Sequence, residues 1–137
     1  MDLNDITERV IGACIEIHRQ LGPGLLESAY EECLAYELTQ LGVKYQRQLA
    51  LPVLYKGVRL DCGYRIDLLV EEAVIVELKT VERLLPVHSA QLLTYLKMTH
   101  LTVGLLIHFY VPTLRDGIKR IVHEFKESSA SPRLGGS

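Results

Sequence analysis

The chain of 137 residues, 48% hydrophobic and 23% charged, has the length and balance of one soluble globular domain, with enough residues for a core and too few for two domains. A net charge of −2 excludes bulk affinity for polyanions, so any phosphate contact must be local. Cys14, Cys33 and Cys62 lack the spacing of a zinc site or disulfide frame, and no signal peptide or membrane-length apolar run is present, which together imply reduced thiols, a cytoplasmic location and no membrane partner.

Taken in order, Leu3 to Gln20 places Ile6, Val10, Ala13, Cys14 and Ile17 at helical spacing, with Asn4 or Asp5 available as a cap. Leu21-Gly22-Pro23-Gly24 stops that helix. A second helix is expected from about Leu25 to Leu41, burying Leu26, Tyr30, Cys33, Leu34, Leu38 and Leu41. Glu27 lies in its first turn, where the helix dipole favours a carboxylate, and projects from the same face as Tyr30. Val43 to Leu51 reads as a strand with Tyr45, Arg47 and Leu49 on one side. Lys56-Gly57 is a hairpin signal, and its second arm is expected to run past Gly63 into the next strand, so that three or four antiparallel strands follow one another.

Two runs of Ile, Leu and Val then flank Glu71-Glu72-Ala73, and Asp67, Glu77 and Lys79 interrupt them. With a two-residue turn, Asp67 would face Val76 and Glu77 would fall on the opposite side. With all three residues in the loop, Ile66, Leu68 and Val70 share a wholly apolar face with Leu78, Val76 and Val74, and Asp67 lies across from Glu77 with Lys79 one step along. A slip of one residue exchanges the faces, so the sorted pattern selects the three-residue loop. It also sets Arg65 opposite Lys79, a like-charge contact that twist must relieve. Buried charges are costly unless paired or metal-bound. Two carboxylates and a lysine at one strand end suit a hard divalent cation such as Mg²⁺ or Mn²⁺. The same residues also read as a partly exposed strand end in which Lys79 bridges Glu77.

Beyond Lys79 a connection ends at Pro86, and a helix is expected from His88 to Thr99 with Leu92, Leu93 and Leu96 inward and His88, Gln91 and Tyr95 forming a polar stripe. Thr102 to Val111 has the continuous apolar character of a central strand, reached by a crossover into parallel pairing, and His108 within it reads as a satisfied core residue. Gly117 to Glu124 reads as a short last strand. The domain is expected to span residues 1–125 and a Ser-, Gly- and Pro-rich disordered tail residues 126–137.

The order Glu27, Asp67, Glu77-x-Lys79, then Gln91-x-x-x-Tyr95 resembles the PD-(D/E)XK nuclease superfamily, with Ile66 in place of the Pro of that name. Gly24-Leu25-Leu26-Glu27-Ser28-Ala29-Tyr30 resembles the name-giving motif of its GxxExxY branch, and Gln91-x-x-x-Tyr95 the Q-x-x-x-Y motif of RecB-type nucleases. The resemblance implies an α/β (mixed α+β) core, a central mixed sheet flanked by helices. It implies Asp67, Glu77, the Leu78 carbonyl and Glu27 as metal ligands, Lys79 as the group assisting the attacking water, and Gln91 and Tyr95 as orienting groups. The activity implied is a metal-dependent nuclease acting on DNA, in repair or defence. Arg47, Arg59, Arg65 and Lys97 are candidate phosphate contacts, with Lys119 and Arg120 behind them. The alternative is a nucleic-acid-binding or protein-interaction module that keeps the fold with little catalysis, and a homodimer or partner subunit is a further alternative for a domain this small.

Overall fold

The computed structural model describes residues 1–124, so the expected tail lies outside the described residues. Helix α1 (Leu3–Leu21) buries the expected stripe of Ile6, Val10, Ala13, Cys14 and Ile17. Its cap is Asp2, not Asn4 or Asp5. The Asp2 carboxylate accepts from the Asp5 N–H at 2.8 Å, and Asp5 accepts in return from the Asp2 N–H at 3.4 Å. A capping box satisfies donors that the first turn would otherwise leave open, and Asp2 does so one residue before the helix. Gly22, at φ +68°, closes the helix in a conformation that suits glycine.

Helix α2 (Glu27–Gln40) starts two residues later than expected, so that Glu27 is its first residue. Strands β1 (Tyr45–Ala50), β4 (Arg65–Val70), β5 (Val74–Lys79), β6 (Val103–His108) and β7 (Ile118–Val122) form a mixed sheet in the order β1-β4-β5-β6-β7. Between β5 and β6 runs helix α3 (Pro86–Thr99), and this crossover makes β5–β6 the parallel pair. Every residue of β6 is buried, as a strand covered on both faces requires. Helices α1 and α2 cover one face, packing on Leu68, Val70, Val74, Val76, Leu78, Leu105 and Ile107. On the other face α3 packs through Leu92, Tyr95 and Leu96 on Ile66, Ile75 and Leu106. No helix among the described residues is long and apolar enough to cross a membrane.

The expected run of contiguous antiparallel strands is not formed. Among the described residues, strands β2 (Val53–Tyr55) and β3 (Val58–Leu60) pair only with each other, and β1 pairs directly with β4. Their Lys56-Gly57 turn has positive φ at both residues (50° and 78°), the geometry that a tight hairpin needs.

The β4–β5 register is the one selected from the sequence, with Val70 opposite Val74 and Leu68 opposite Val76. The apolar sorting fails at one residue. Ile66 joins the cluster under α3, whereas Leu68 and Val70 lie under α1 and α2. Strand β1 changes sides at the same level, with Tyr45 on the α1/α2 cluster and Leu49 on the other. At the switch sits Gln48, a non-glycine residue at φ +51°. The ladder pairs on either side are Arg47–Leu68 and Leu49–Ile66, and the intervening Gln48–Asp67 position is not one of them.

Candidate active site

Past Leu68–Val76 the backbones of β4 and β5 no longer pair, and Arg65 lies opposite Ala50 of β1. The feared Arg65–Lys79 pairing is therefore absent from the ladder. Two carboxylates enter the seam instead. The Asp67 N–H donates to Glu77 Oε2 at 2.9 Å, and the Leu78 N–H donates to Asp67 Oδ2 at 2.8 Å. Side-chain oxygens thus replace carbonyls as acceptors for buried backbone donors, which must find partners. Asp67 and Glu77 retain only 9% and 5% of their exposure. In an extended strand the N–H and C=O of one residue point to the same side, so the Leu78 carbonyl also faces this seam.

Lys79 ends β5 and is half-buried. Among the described residues no ion pair within 4.0 Å joins it to a carboxylate, so the simple Lys79–Glu77 bridge is not formed. Its charge still acts at longer range, favouring the ionised forms of Glu27, Asp67 and Glu77.

Glu27 reaches this cluster from the start of α2, where the Thr80 backbone donates a hydrogen bond to it. Tyr30 fixes that start. Fully buried and stacked on Phe109 with ring centroids 4.0 Å apart, it donates its hydroxyl proton to the Gly22 carbonyl at 2.6 Å and accepts from the Leu25 N–H at 3.2 Å. Gly24 bends the same loop at φ +107°, which explains the spacing of glycine, glutamate and tyrosine in this segment. Tyr30→Phe keeps the stacking but leaves two loop groups without a partner. We expect it to lose about 1–2 kcal/mol of stability in a denaturant titration. An unchanged midpoint would remove this role.

Helix α3 turns Tyr95 toward the carboxylates but not as part of a solvated stripe. Tyr95 is only 5% exposed and belongs to the core with Leu92 and Leu96. Burial, then the Glu77 charge, pushes its hydroxyl up to about 12. Gln91 lies one turn earlier, half-buried, and no hydrogen bond of its side chain is found among the described residues. Leu93 is only half-buried. His108 is satisfied, as expected, by the Val81 carbonyl.

Two residues at the site have no motif to announce them. Glu31, one turn after Glu27 and buried, accepts from Gln48 Nε2 at 2.7 Å. That same Gln48 nitrogen lies 3.4 Å from Asp67 Oδ1. Glu31 was legible as an i, i+4 partner of Glu27 on one helix face. A left-handed Gln48 leaves no trace in a strand pattern. The candidate cations divide. Arg47 is held by Glu31 at 2.9 Å and Glu32 at 2.6 Å, and Arg120 bonds Thr7 and Asn4 of α1. Arg59 on β3, Arg65 at the start of β4, Lys97 in the last turn of α3 and Lys119 on β7 are exposed.

The electrostatics follow from burial. Glu77 is pushed up to about 8 by desolvation and then by the Asp67 charge. Desolvation also raises Asp67, against the hydrogen bond from Leu78 and with the Glu31 charge, and raises Glu27 together with the Asp67 charge. Three carboxylates that resist ionising together are a donor set of hard oxygens suited to a divalent cation, whose charge would reverse that repulsion. As they stand, no group of three His, Cys, Asp or Glu side chains among the described residues converges closely enough to hold an ion. Asp67 and Glu77 each turn one oxygen to a backbone N–H of the seam, and the remaining oxygens are those that could take a cation.

A five-stranded mixed sheet flanked by helices, with Asp, Glu and Lys on its inner hairpin, has the architecture of a nuclease domain. A family model described as the PD-(D/E)XK nuclease superfamily matches residues 4–121, and the chain belongs to that superfamily. No curated protein and no solved structure matches the chain. Membership implies a nucleic-acid substrate, and nucleases of this superfamily generally use divalent metals.

Proposed function

We propose that the chain is a nuclease of the GxxExxY branch that hydrolyses phosphodiester bonds of DNA with Mg²⁺ or Mn²⁺. The observation that carries this reading is the seam in which Asp67 and Glu77 each accept from a backbone N–H beside an unbridged Lys79. Asp67, Glu77 and the Leu78 carbonyl hold the cation, and Glu27 completes the set directly or through water. When bound, the cation would supply charge neutralisation at the scissile phosphate and a lowered pKa for the attacking water. Lys79 orients that water and offsets charge developing on the phosphate. Gln91 and Tyr95, both on α3, orient the phosphate or the carboxylates, with Tyr95 close enough to Glu77 for the Glu77 charge to act on its hydroxyl. The test is nicking of plasmid or single-stranded DNA by the purified chain with Mg²⁺ or Mn²⁺, lost on adding EDTA.

The net charge of −2 requires the phosphate surface to be local. Arg59, Arg65 and Lys97 form it, and Arg47, neutralised by Glu31 and Glu32, contributes less. Each phosphate contact adds about one to the slope of log affinity against log salt. Arg59→Ala and Arg65→Ala should each lower that slope by about one, in a binding titration across salt concentrations. An affinity for DNA that ignores salt contradicts this assignment.

The second reading, a binding module that keeps the fold without catalysis, is favoured by the lack of three converged ligands among the described residues. It expects DNA binding indifferent to EDTA and no nicking.

A further inference from the structure

We propose that Gln48 is a positioning residue for Asp67, held in a left-handed backbone so that its amide bridges Glu31 and Asp67 and fixes the Asp67 carboxylate for a divalent cation. The inference rests on the nuclease reading and adds a residue that the motifs of this sequence do not contain.

Regular alternation along β1 would send Arg47 and Gln48 to opposite faces of the sheet. Instead Arg47 and Gln48 both contact Glu31 on α2. The φ of +51° at Gln48 makes this possible, and it is a conformation that a side chain with a Cβ disfavours. Such strain persists only where the surroundings over-determine it, and it collects at functional sites. The break in pairing falls directly opposite Asp67.

The side chain then decides what the strain achieves. Both neighbours of the Gln48 amide are carboxyl oxygens that accept, and its NH₂ group faces them. One contact is to Glu31 Oε1 at 2.7 Å and the longer one to Asp67 Oδ1 at 3.4 Å. Glu31 is itself anchored through its other oxygen, Oε2, by Arg47 Nε at 2.9 Å. On the far side Asp67 Oδ2 accepts from the Leu78 N–H at 2.8 Å. Each Asp67 oxygen thus has a donor from a different direction, which fixes the carboxylate plane. A group that orients a ligand in this way typically contributes about 10–100-fold in metal affinity.

A purely structural Gln48 makes a different forecast from a positioning one, and two variants separate them. Gln48→Gly keeps the left-handed backbone without strain and removes the amide. Gln48→Ala removes the amide and keeps the strain. We expect the glycine variant to melt above the alanine variant, and both to bind Mn²⁺ about 10–100-fold more weakly than wild type by calorimetry. DNA nicking at saturating Mn²⁺ should recover in both, since affinity and not chemistry is lost. If Gln48→Gly binds Mn²⁺ like wild type, or regains affinity that Gln48→Ala lacks, the backbone alone matters and the proposal is overturned. Wild-type protein that binds no Mn²⁺ removes the nuclease reading and this proposal with it. Wild-type binding with an unaltered glycine variant removes this proposal alone.

Discussion

Glu77→Gln should abolish DNA cleavage and weaken divalent-metal binding while making the metal-free protein more stable above pH 8. The substitution keeps shape and removes one negative charge from a ligand, so a loss of at least ~10²–10³ in rate is expected. The stability change has the opposite sign because the folded protein does not favour an ionised Glu77. Burial and the Asp67 charge raise it to about 8, from an ordinary carboxylate value near 4.5. Between those values the folded state binds more protons than the unfolded state, so stability falls as pH rises through the window. Asp67 and Glu27 are raised as well and act in the same direction. Melting of the metal-free wild type should therefore occur at a higher temperature at pH 6 than at pH 9. Glu77→Gln should flatten that slope and gain roughly 1–3 kcal/mol at pH 9, the scale of one buried group relieved of its desolvation cost. Divalent metal should do the same to the wild type by binding the ionised carboxylates. A wild-type melt that rises with pH across this range contradicts the burial argument.

Lys79→Ala should separate rate from metal affinity. Lys79 makes no close ion pair with the carboxylates, so its removal leaves their hydrogen bonds to the seam intact. Metal should bind as well as before or more tightly, because a nearby positive charge that competes with the cation is gone. What disappears is the stabilisation of charge that develops on the phosphate and on the attacking oxygen. Losing one such preorganised group typically costs ~10²–10³ in rate, about 3–4 kcal/mol. Calorimetry and a cleavage assay on the same preparation give both values. Equal losses in affinity and rate would make Lys79 part of the binding site for the cation instead.

The contrast between these two variants depends on a hairpin whose register was legible in the sequence. Three loop residues and a sorted apolar face set Val70 opposite Val74, and that pairing forms. The buried strand β6 and its parallel pairing to β5 were equally legible from an unbroken apolar run after a helix. Periodicity failed where the backbone leaves its regular path. Ile66 lies on the other face, level with a Gln48 that adopts a left-handed conformation, and propensity does not favour that for glutamine. Tyr95 looked polar from its hydroxyl, yet its ring is buried core, and its hydroxyl feels the Glu77 charge. The hairpin β2–β3 carried a correct turn signal, but nothing local to it could say that its arms would pair with no other strand. Glu31 and Arg47 became part of the site through contacts between α2 and β1, which lie far apart in sequence.

On the proposed function, the Asp67–Glu77 seam takes a divalent cation and cuts DNA with it. The most direct measurement combines calorimetric titration of Mg²⁺ and Mn²⁺ into the wild-type chain, with DNA present, and a plasmid-nicking assay of the same sample with and without EDTA. Saturable binding at or below millimolar concentration, with nicking that EDTA abolishes and Glu77→Gln lacks, is the predicted result. No binding at millimolar metal, or nicking that survives both EDTA and Glu77→Gln, would contradict it.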